Sequence, residues 1–550
     1  MEPNFSNSTA DNNDIQSKQN HFLTLRKAKR NNLLSRKFQI DNTTEKYKLN
    51  QNSYENNNNI IQRFYDEQDK PAYLHQLLAN LLDAKIYSNL DQNLIKFIIF
   101  QSLNYYDSQK QSKDGIKILE NFFTDKILEN LIEVMHIMKQ NYLISYNICY
   151  LLLEITFKSK HIAKLITLNK TNIEKIFDCL YNTNEDIISI VLSLIYNCYI
   201  EDEDMVNQNC NIGVYVMQNL FTYSKIYMAM ITKSIIVNET LKILVSFIGI
   251  LVNNKTSQIY QQFGEEVRNQ IIYFLIVLCR DVLDENLKYD AHIALGKMLN
   301  LAEPEDINVD EIGLCNIANI FLSHIKLELN NPEIVEISME IIEKFSYLCD
   351  VEVFGTKELI EQLEQIFIDF NDMSINKISP KPYYSNFRKK DINHILINLC
   401  VTLTNLITLS KLERFVMKKT NIVDYLTLSL KISELENKTI INIYGFFKEL
   451  VHNKDTCMKV ILANFIDVGI LDVLKNNLNN KNYEVIQQAL DICLIMMKES
   501  SQLTNGNNNV IQMYLEKKGF NDILNVIIGA DFGNMNCSEA AKNIQDGFFK

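Results

Sequence analysis

Tryptophan is absent from this chain of 550 residues, and glycine and proline are scarce, at 14 and 6 residues. Sandwiches and barrels turn often, and turns consume Gly and Pro. Such low counts argue against all-β architectures and favour helices joined by short polar loops. Long apolar runs are missing too. The longest, such as Ile271–Cys279, are bounded by Arg268 and Arg280, well short of the roughly 20 residues that a membrane span requires. Residues 1–20 are polar and hold no apolar core of a secretory leader. The 11 cysteines include no Cys-x-x-Cys pair, so they read as reduced thiols packed in helix interiors. A basic excess is also lacking: the net charge is −12, with a pI near 5.3. Nucleic-acid surfaces need that excess to release counterions, so nucleic acid is not the expected partner. An acidic chain suits basic partners, Lys/Arg-rich peptides included.

The signatures of catalysis are missing as well. No Gly-x-Gly-x-x-Gly, phosphate-loop or Gly-x-Ser-x-Gly pattern occurs, and the eight histidines are dispersed without metal-ligand spacing. The expectation is a non-enzyme without cofactor or metal, soluble and on the nuclear or cytosolic side of the cell.

What is present is helical periodicity. Hydrophobic residues make up 47% of the chain, and apolar positions recur at three- and four-residue steps. Residues 1–20 read as disordered, 21–40 as a basic amphipathic segment, and 41–70 as a polar linker with the Asn run Asn56–Asn59. From 71 to 550 the helical pattern continues, with an interruption at Ser374–Lys390 that carries Pro380 and Pro382. This long stretch repeats itself. The apolar helix Ser145–Glu154 recurs as Ile188–Asn197, which places Tyr150 and Ser193 43 residues apart. Cys400–Asn405 recurs as Ile443–Lys448, pairing Val401 with Tyr444 at the same 43-residue step. Comparable helices centre near Ser246, Ile293 and Glu340, at steps of 47. An all-helical period of roughly 40–47 residues is that of HEAT and armadillo arrays. The predicted fold is therefore an all-α armadillo-repeat solenoid, a right-handed superhelix of about ten repeats, with a groove lined by the last helix of each repeat.

Two ends of the chain carry a family resemblance. Leu25-Arg-Lys-Ala-Lys-Arg30, followed by Leu33-Leu34-Ser-Arg-Lys37, resembles the importin-beta-binding segment of the importin alpha family. Tyr514–Ile523 and Ser538–Phe549 are similar to that family's closing repeat. As a helix, the first segment would set Leu25 and Ala28 on one side and its cations around the rest, suited to an acidic-walled partner. A membrane-surface helix, an intrinsic localisation signal and an unstructured basic patch remain alternatives. The resemblance implies a nuclear import adaptor, monomeric or heterodimeric, that shuttles between cytoplasm and nucleus. It would bind importin beta through Leu25, Arg26, Lys27, Lys29, Arg30, Arg36 and Lys37. The family's further Arg-rich box upstream is missing, since residues 1–20 contain only Lys18.

The resemblance also implies where cargo would bind. In the family, groove-facing Trp and Asn four residues apart hold basic localisation signals by stacking and backbone clamping. Here the matching pairs are Tyr150/Glu154, Ser193/Asn197 and Ser246/Ile250 in front, and Val401/Asn405 and Tyr444/Lys448 behind. Tyr150 and Tyr444 are the candidate stacking faces, and Asn197 and Asn405 the candidate clamps. Glu154 and Ser193 complete the set, and Glu201 with Asp202–Asp204 is the candidate acidic pocket. Each has a plainer reading as a packing or solvated residue. The alternative for the whole molecule is an armadillo scaffold that has left transport and binds other proteins.

Overall fold

The computed structural model describes residues 54–82, 92–110, 112, 114–181, 185–200, 241–246, 248–249, 252, 264–282, 284–303, 317–327, 332–349, 357–375, 389–410, 415–416, 419–431, 435–452, 458–503, 509–529 and 535–549. Outside these lie the basic segment with Leu25 to Lys37, the acidic run 201–204, and residues 376–388 of the predicted insertion. Among the described residues every regular element is a helix.

The helices come in threes. Gly115–Phe122, Asp125–Ile137 and Tyr142–Lys158 form one unit; Lys160–Leu168, Lys170–Asp178 and Glu185–Ile200 form the next. Met458–Val468, Ile470–Asn477 and Tyr483–Leu503 repeat the arrangement, as do Val510–Lys517, Phe520–Gly529 and Met535–Phe548. Polar single-residue joints make the corners. Ser159 ends one helix and caps the next, its Oγ accepting from the Ile162 N–H at 3.2 Å. Asn169 does the same one helix later, accepting from Thr171 N–H at 3.1 Å. In the last two units the corner is glycine: Gly469 and Gly519 adopt φ of 84° and 71°, a left-handed conformation that a side chain opposes.

The long last helices stack on one another along the molecule. We number them α1 (Gln92–Gln109), α2 (Tyr142–Lys158), α3 (Glu185–Ile200), α4 (Glu285–Leu299), α5 (Pro332–Leu348), α6 (Lys389–Ser410), α7 (Asn437–His452), α8 (Tyr483–Leu503) and α9 (Met535–Phe548). From α1 to α3, and again from α4 to α9, each packs on the next. Between α3 and α4 the helical residues 241–246 are tied to the α4 N-terminus by Lys242, whose Nζ lies 2.8 Å from Asp284. Asp284 in turn caps α4 through Leu287 N–H at 3.0 Å.

One pattern of burial recurs on these helices. On α2 the core side is Ile144, Ser145, Ile148, Cys149, Leu151, Leu152, Ile155 and Thr156. On α5 it is Ile334, Val335, Ser338, Met339, Ile341, Ile342, Phe345 and Ser346. On α7 it is Thr439, Ile440, Ile443, Tyr444, Phe446, Phe447, Leu450 and Val451. These stripes share one continuous core, because no single unit can cover its own apolar face. The architecture is an armadillo-repeat solenoid.

The stretch read as a linker differs. Tyr54–Asp66 is a helix that contains the Asn run Asn56–Asn59. Its Phe64 is buried and meets Phe97 of α1 edge-on at 5.4 Å, with Ile60 and Ile61 packed on the same core. Three apolar residues on one side dock the helix, while Asn59, Gln62 and Arg63 stay exposed.

Candidate protein-binding face

The repeated burial pattern sets which residues of each ladder helix face outward. On α2 these are Leu143, Tyr146, Tyr150, Leu153 and Phe157, with Tyr142 beside them. Tyr142 and Leu143 are 39% and 44% exposed. The three tyrosines follow one another at four-residue steps. Tyr142 and Tyr146 ring centroids are 5.4 Å apart, and Tyr146 and Tyr150 stack at 6.4 Å. Burial raises the Tyr146 pKa, and Tyr142, Asp186 and Tyr150 add to the rise. On α1 the place of Tyr150 is taken by Phe100, 42% exposed. The front of the ladder is thus aromatic.

Farther along, the same places turn acidic. Glu333, Glu336, Glu340, Glu343 and Tyr347 of α5 stand where α2 has Leu143, Tyr146, Tyr150, Leu153 and Phe157. These carboxylates are partly engaged already. Glu336 pairs with His394 of α6, and Glu340 accepts from Asn300 Nδ2 at 3.2 Å. Glu343 lies 3.3 Å from Lys344. Burial raises the Glu343 pKa, with Lys344 working against the rise.

Three of the residues singled out as peptide contacts, Glu154, Asn197 and Asn405, bond to a neighbouring repeat. Glu154 accepts from the Tyr106 hydroxyl of α1 at 3.0 Å. Asn197 is buried, and its Nδ2 donates to the Leu153 carbonyl of α2 at 3.4 Å. Ser193 is buried too, its Oγ bonded back to the Ser189 carbonyl at 2.8 Å. Asn405 Nδ2 donates to Ser346 Oγ of α5 at 3.0 Å. The Lys448 ammonium, a cation expected to repel a basic ligand, lies 3.1 Å from Asp491 of α8. Together with Tyr142, whose hydroxyl donates to Asp186 of α3 at 3.3 Å, the pairs of Glu154, Asn197, Asn405 and Lys448 form polar rungs between successive ladder helices, whereas the Ser193 bond stays within α3.

Tyr444 does not line the face at all. It is fully buried, and Asn477 Nδ2 donates to its hydroxyl. The reason is register. Tyr444 occupies the place of Cys149 on α2 and Cys400 on α6, whereas the place of Tyr150 and Val401 falls on Gly445. A slip of one residue turns a helical position by about 100°, enough to move it from surface to core. Only Tyr150 of the two tyrosines stays on the outward side, half-buried against Tyr146.

Sequence reasoning missed Tyr142, Leu143, Tyr146 and Phe100. The signal was there in the four-residue spacing of Tyr142, Tyr146 and Tyr150, but a search for Trp/Asn pairs passed over it. It also missed a buried pair, His292 on α4 and His324 on the helix Ile317–Leu327.

Among the described residues no group of three His, Cys, Asp or Glu could hold a metal ion, and no helix is long and apolar enough to cross a membrane. No protein-family model matches the chain, and no curated protein matches it. Solved structures do. A chain from the structure describing a phosphorylation switch in the interaction between cadherin and beta-catenin is similar at TM-score 0.53 and 12% identity, over 85% of this chain and 78% of that one. An engineered protein is similar at TM-score 0.51 and 10% identity, over 87% of this chain and 99% of its own. At such identities the likeness concerns the fold, and the fold it supports is the armadillo type.

Proposed function

We propose that this chain is a protein-binding scaffold whose ladder face holds an elongated segment of a partner protein. The observation that carries this reading is the aromatic row of α1 and α2, where Phe100, Tyr142 and Leu143 stand about two-fifths exposed beside Tyr146 and Tyr150. Large apolar side chains gathered on one surface mark an interaction site. Tyrosine gives a broad contact area at little conformational cost. The acidic row of α5 supports a partner that is basic where it crosses that helix. The structural likeness to a chain from a cadherin–beta-catenin study agrees with a protein partner.

A second, finer reading is the nuclear import adaptor, favoured by the Leu25–Arg30 and Leu33–Lys37 motifs. In it, residues 21–40 bind importin beta, the ladder face takes basic localisation signals, and the protein shuttles between cytoplasm and nucleus. It needs neither cofactor nor catalytic group. The absence of Trp and the use of Asn197 and Asn405 as rungs favour the broader scaffold.

One experiment addresses both readings. Importin-beta binding is measured by calorimetry for the intact chain and for a variant with Arg26, Lys27, Lys29 and Arg30 all changed to Ala. A labelled Lys/Arg-rich peptide is titrated in parallel, at low and at physiological salt, against the intact chain and Tyr142→Ala/Tyr146→Ala. Tight importin-beta binding lost in the fourfold variant establishes the adaptor. No importin-beta binding, with peptide affinity reduced about tenfold or more in the tyrosine variant, leaves the scaffold. Peptide binding that the tyrosine variant leaves unchanged removes the aromatic row as the site.

A further inference from the structure

His292 and His324 come from different repeats and meet inside the core. His292 is on α4, and His324 is on Ile317–Leu327, a helix of the following unit; both are buried. His292 Nε2 lies 3.2 Å from His324 Nδ1, and His292 Nδ1 lies 2.7 Å from the Lys288 carbonyl. Phe321, also buried, stands edge-on to both rings at 5.5 and 5.8 Å.

The hydrogen bonds determine the protons. A carbonyl only accepts, so His292 carries its hydrogen on Nδ1 and donates it to Lys288. Its Nε2 is then the acceptor, and His324 must donate from Nδ1. A proton added to His292 would go on Nε2 and meet the His324 Nδ1–H, so the bond would break or His324 would have to move its own hydrogen to Nε2. A proton added to His324 would place an uncompensated charge in the core.

The surroundings offer no relief. The Lys288 ammonium acts on both rings and disfavours a further cation. On the preceding helix, Glu265–Asp281, burial raises the Cys279 thiol and Lys288 works against that rise. The charged group that acts on both rings is Lys288, and His292 also acts on His324.

We infer that the His292–His324 pair is an acid-labile latch: it holds α4 to the next repeat while both rings are neutral, and on acidification that joint opens locally before the rest of the array. Burial holds both rings below the ordinary imidazole value of 6.5 in the folded chain. The open form takes up protons at the ordinary value, so acid favours opening once the pH falls below it. Opening would separate α4 from α5 and divide the ladder face between its aromatic and acidic parts.

The test is hydrogen exchange of the full chain at pH 7.5 and 5.0, corrected for intrinsic rates. Protection in Glu285–Leu299 and Ile317–Leu327 should fall by roughly thirtyfold for each ring, while Asp125–Ile137 keeps its protection. His292→Gln/His324→Gln, which keeps polar groups but removes the titration, should abolish that selective loss. Equal loss in all helices, or selective loss that persists in the double variant, overturns the latch. Should the double variant fail to fold, imidazole ¹⁵N shifts of the unaltered chain decide. Rings that stay neutral at pH 5.5 while the two helices are protected support the latch; rings that titrate near 6.5 in the closed form overturn it.

Discussion

Tyr150 and Tyr444 are both tyrosines on ladder helices, and pattern matching placed them in equivalent positions. Their environments are opposite. Tyr150 lies half-buried on the outward side, whereas Tyr444 is enclosed, with its hydroxyl bonded to Asn477. Burial raises the Tyr444 pKa, with the Asn477 bond opposing that rise. The two should therefore respond differently to truncation. Tyr444→Ala removes a fully packed ring and should cost about 3–5 kcal/mol, while Tyr150→Ala should cost about 1 kcal/mol. Urea unfolding followed by circular dichroism measures both, and similar costs would contradict the register assigned here. Asn197 and Asn405 carry a related lesson. The family resemblance implies that both clamp a bound peptide, yet each amide donates to a neighbouring repeat. A sequence shows that an amide recurs on a helix, but its partner, on a helix 44 or 59 residues away, is set by packing.

At the scale of elements, the helices were legible because their signals are local. Apolar residues at three- and four-residue steps mark the helices within each stretch of the chain. The glycine corners are a sharper case. Gly469 and Gly519 sit between the first and second helices of the last two units with φ of 84° and 71°. Space for a methyl group exists at both, since the closest atoms to an added Cβ are at 3.7 Å. The penalty for Gly469→Ala or Gly519→Ala is therefore conformational, about 1–2 kcal/mol each. A shift in urea midpoint of that size is expected, and no shift would mean the chain relaxes out of the left-handed turn. The helix Tyr54–Asp66 has the composition of a linker, because a run of four asparagines outweighs Ile60, Ile61 and Phe64. Its stability comes from α1, on which Phe64 packs, and that support is not visible in its own thirteen residues.

Across the whole molecule, contacts run between neighbours: α5 with α6, α6 with α7, α7 with α8. An array of this kind is stabilised unit by unit and by the interfaces between units. Damage should then stay local. Phe520, fully buried in the last unit against Phe549 at 6.1 Å, should on change to Ala raise hydrogen exchange in Val510–Phe548 and leave Asp125–Ile137 protected. Loss of protection throughout would indicate a single cooperative unit. The same modularity lets the ladder face change character along its length, aromatic on α2 and acidic on α5, while the stripes beneath keep one pattern.

The sequence by itself determined the all-helical class and the recurrence of its helices, because periodicity and turn chemistry are properties of neighbouring residues. Only the tertiary structure decided which residue of each helix faces outward, because one residue of register turns a side chain by about 100°. It alone also joined groups distant in the chain: Tyr106 to Glu154, Asn405 to Ser346, and His292 to His324. Those contacts arise between stacked repeats, where position depends on how two helices pack and not on either helix alone.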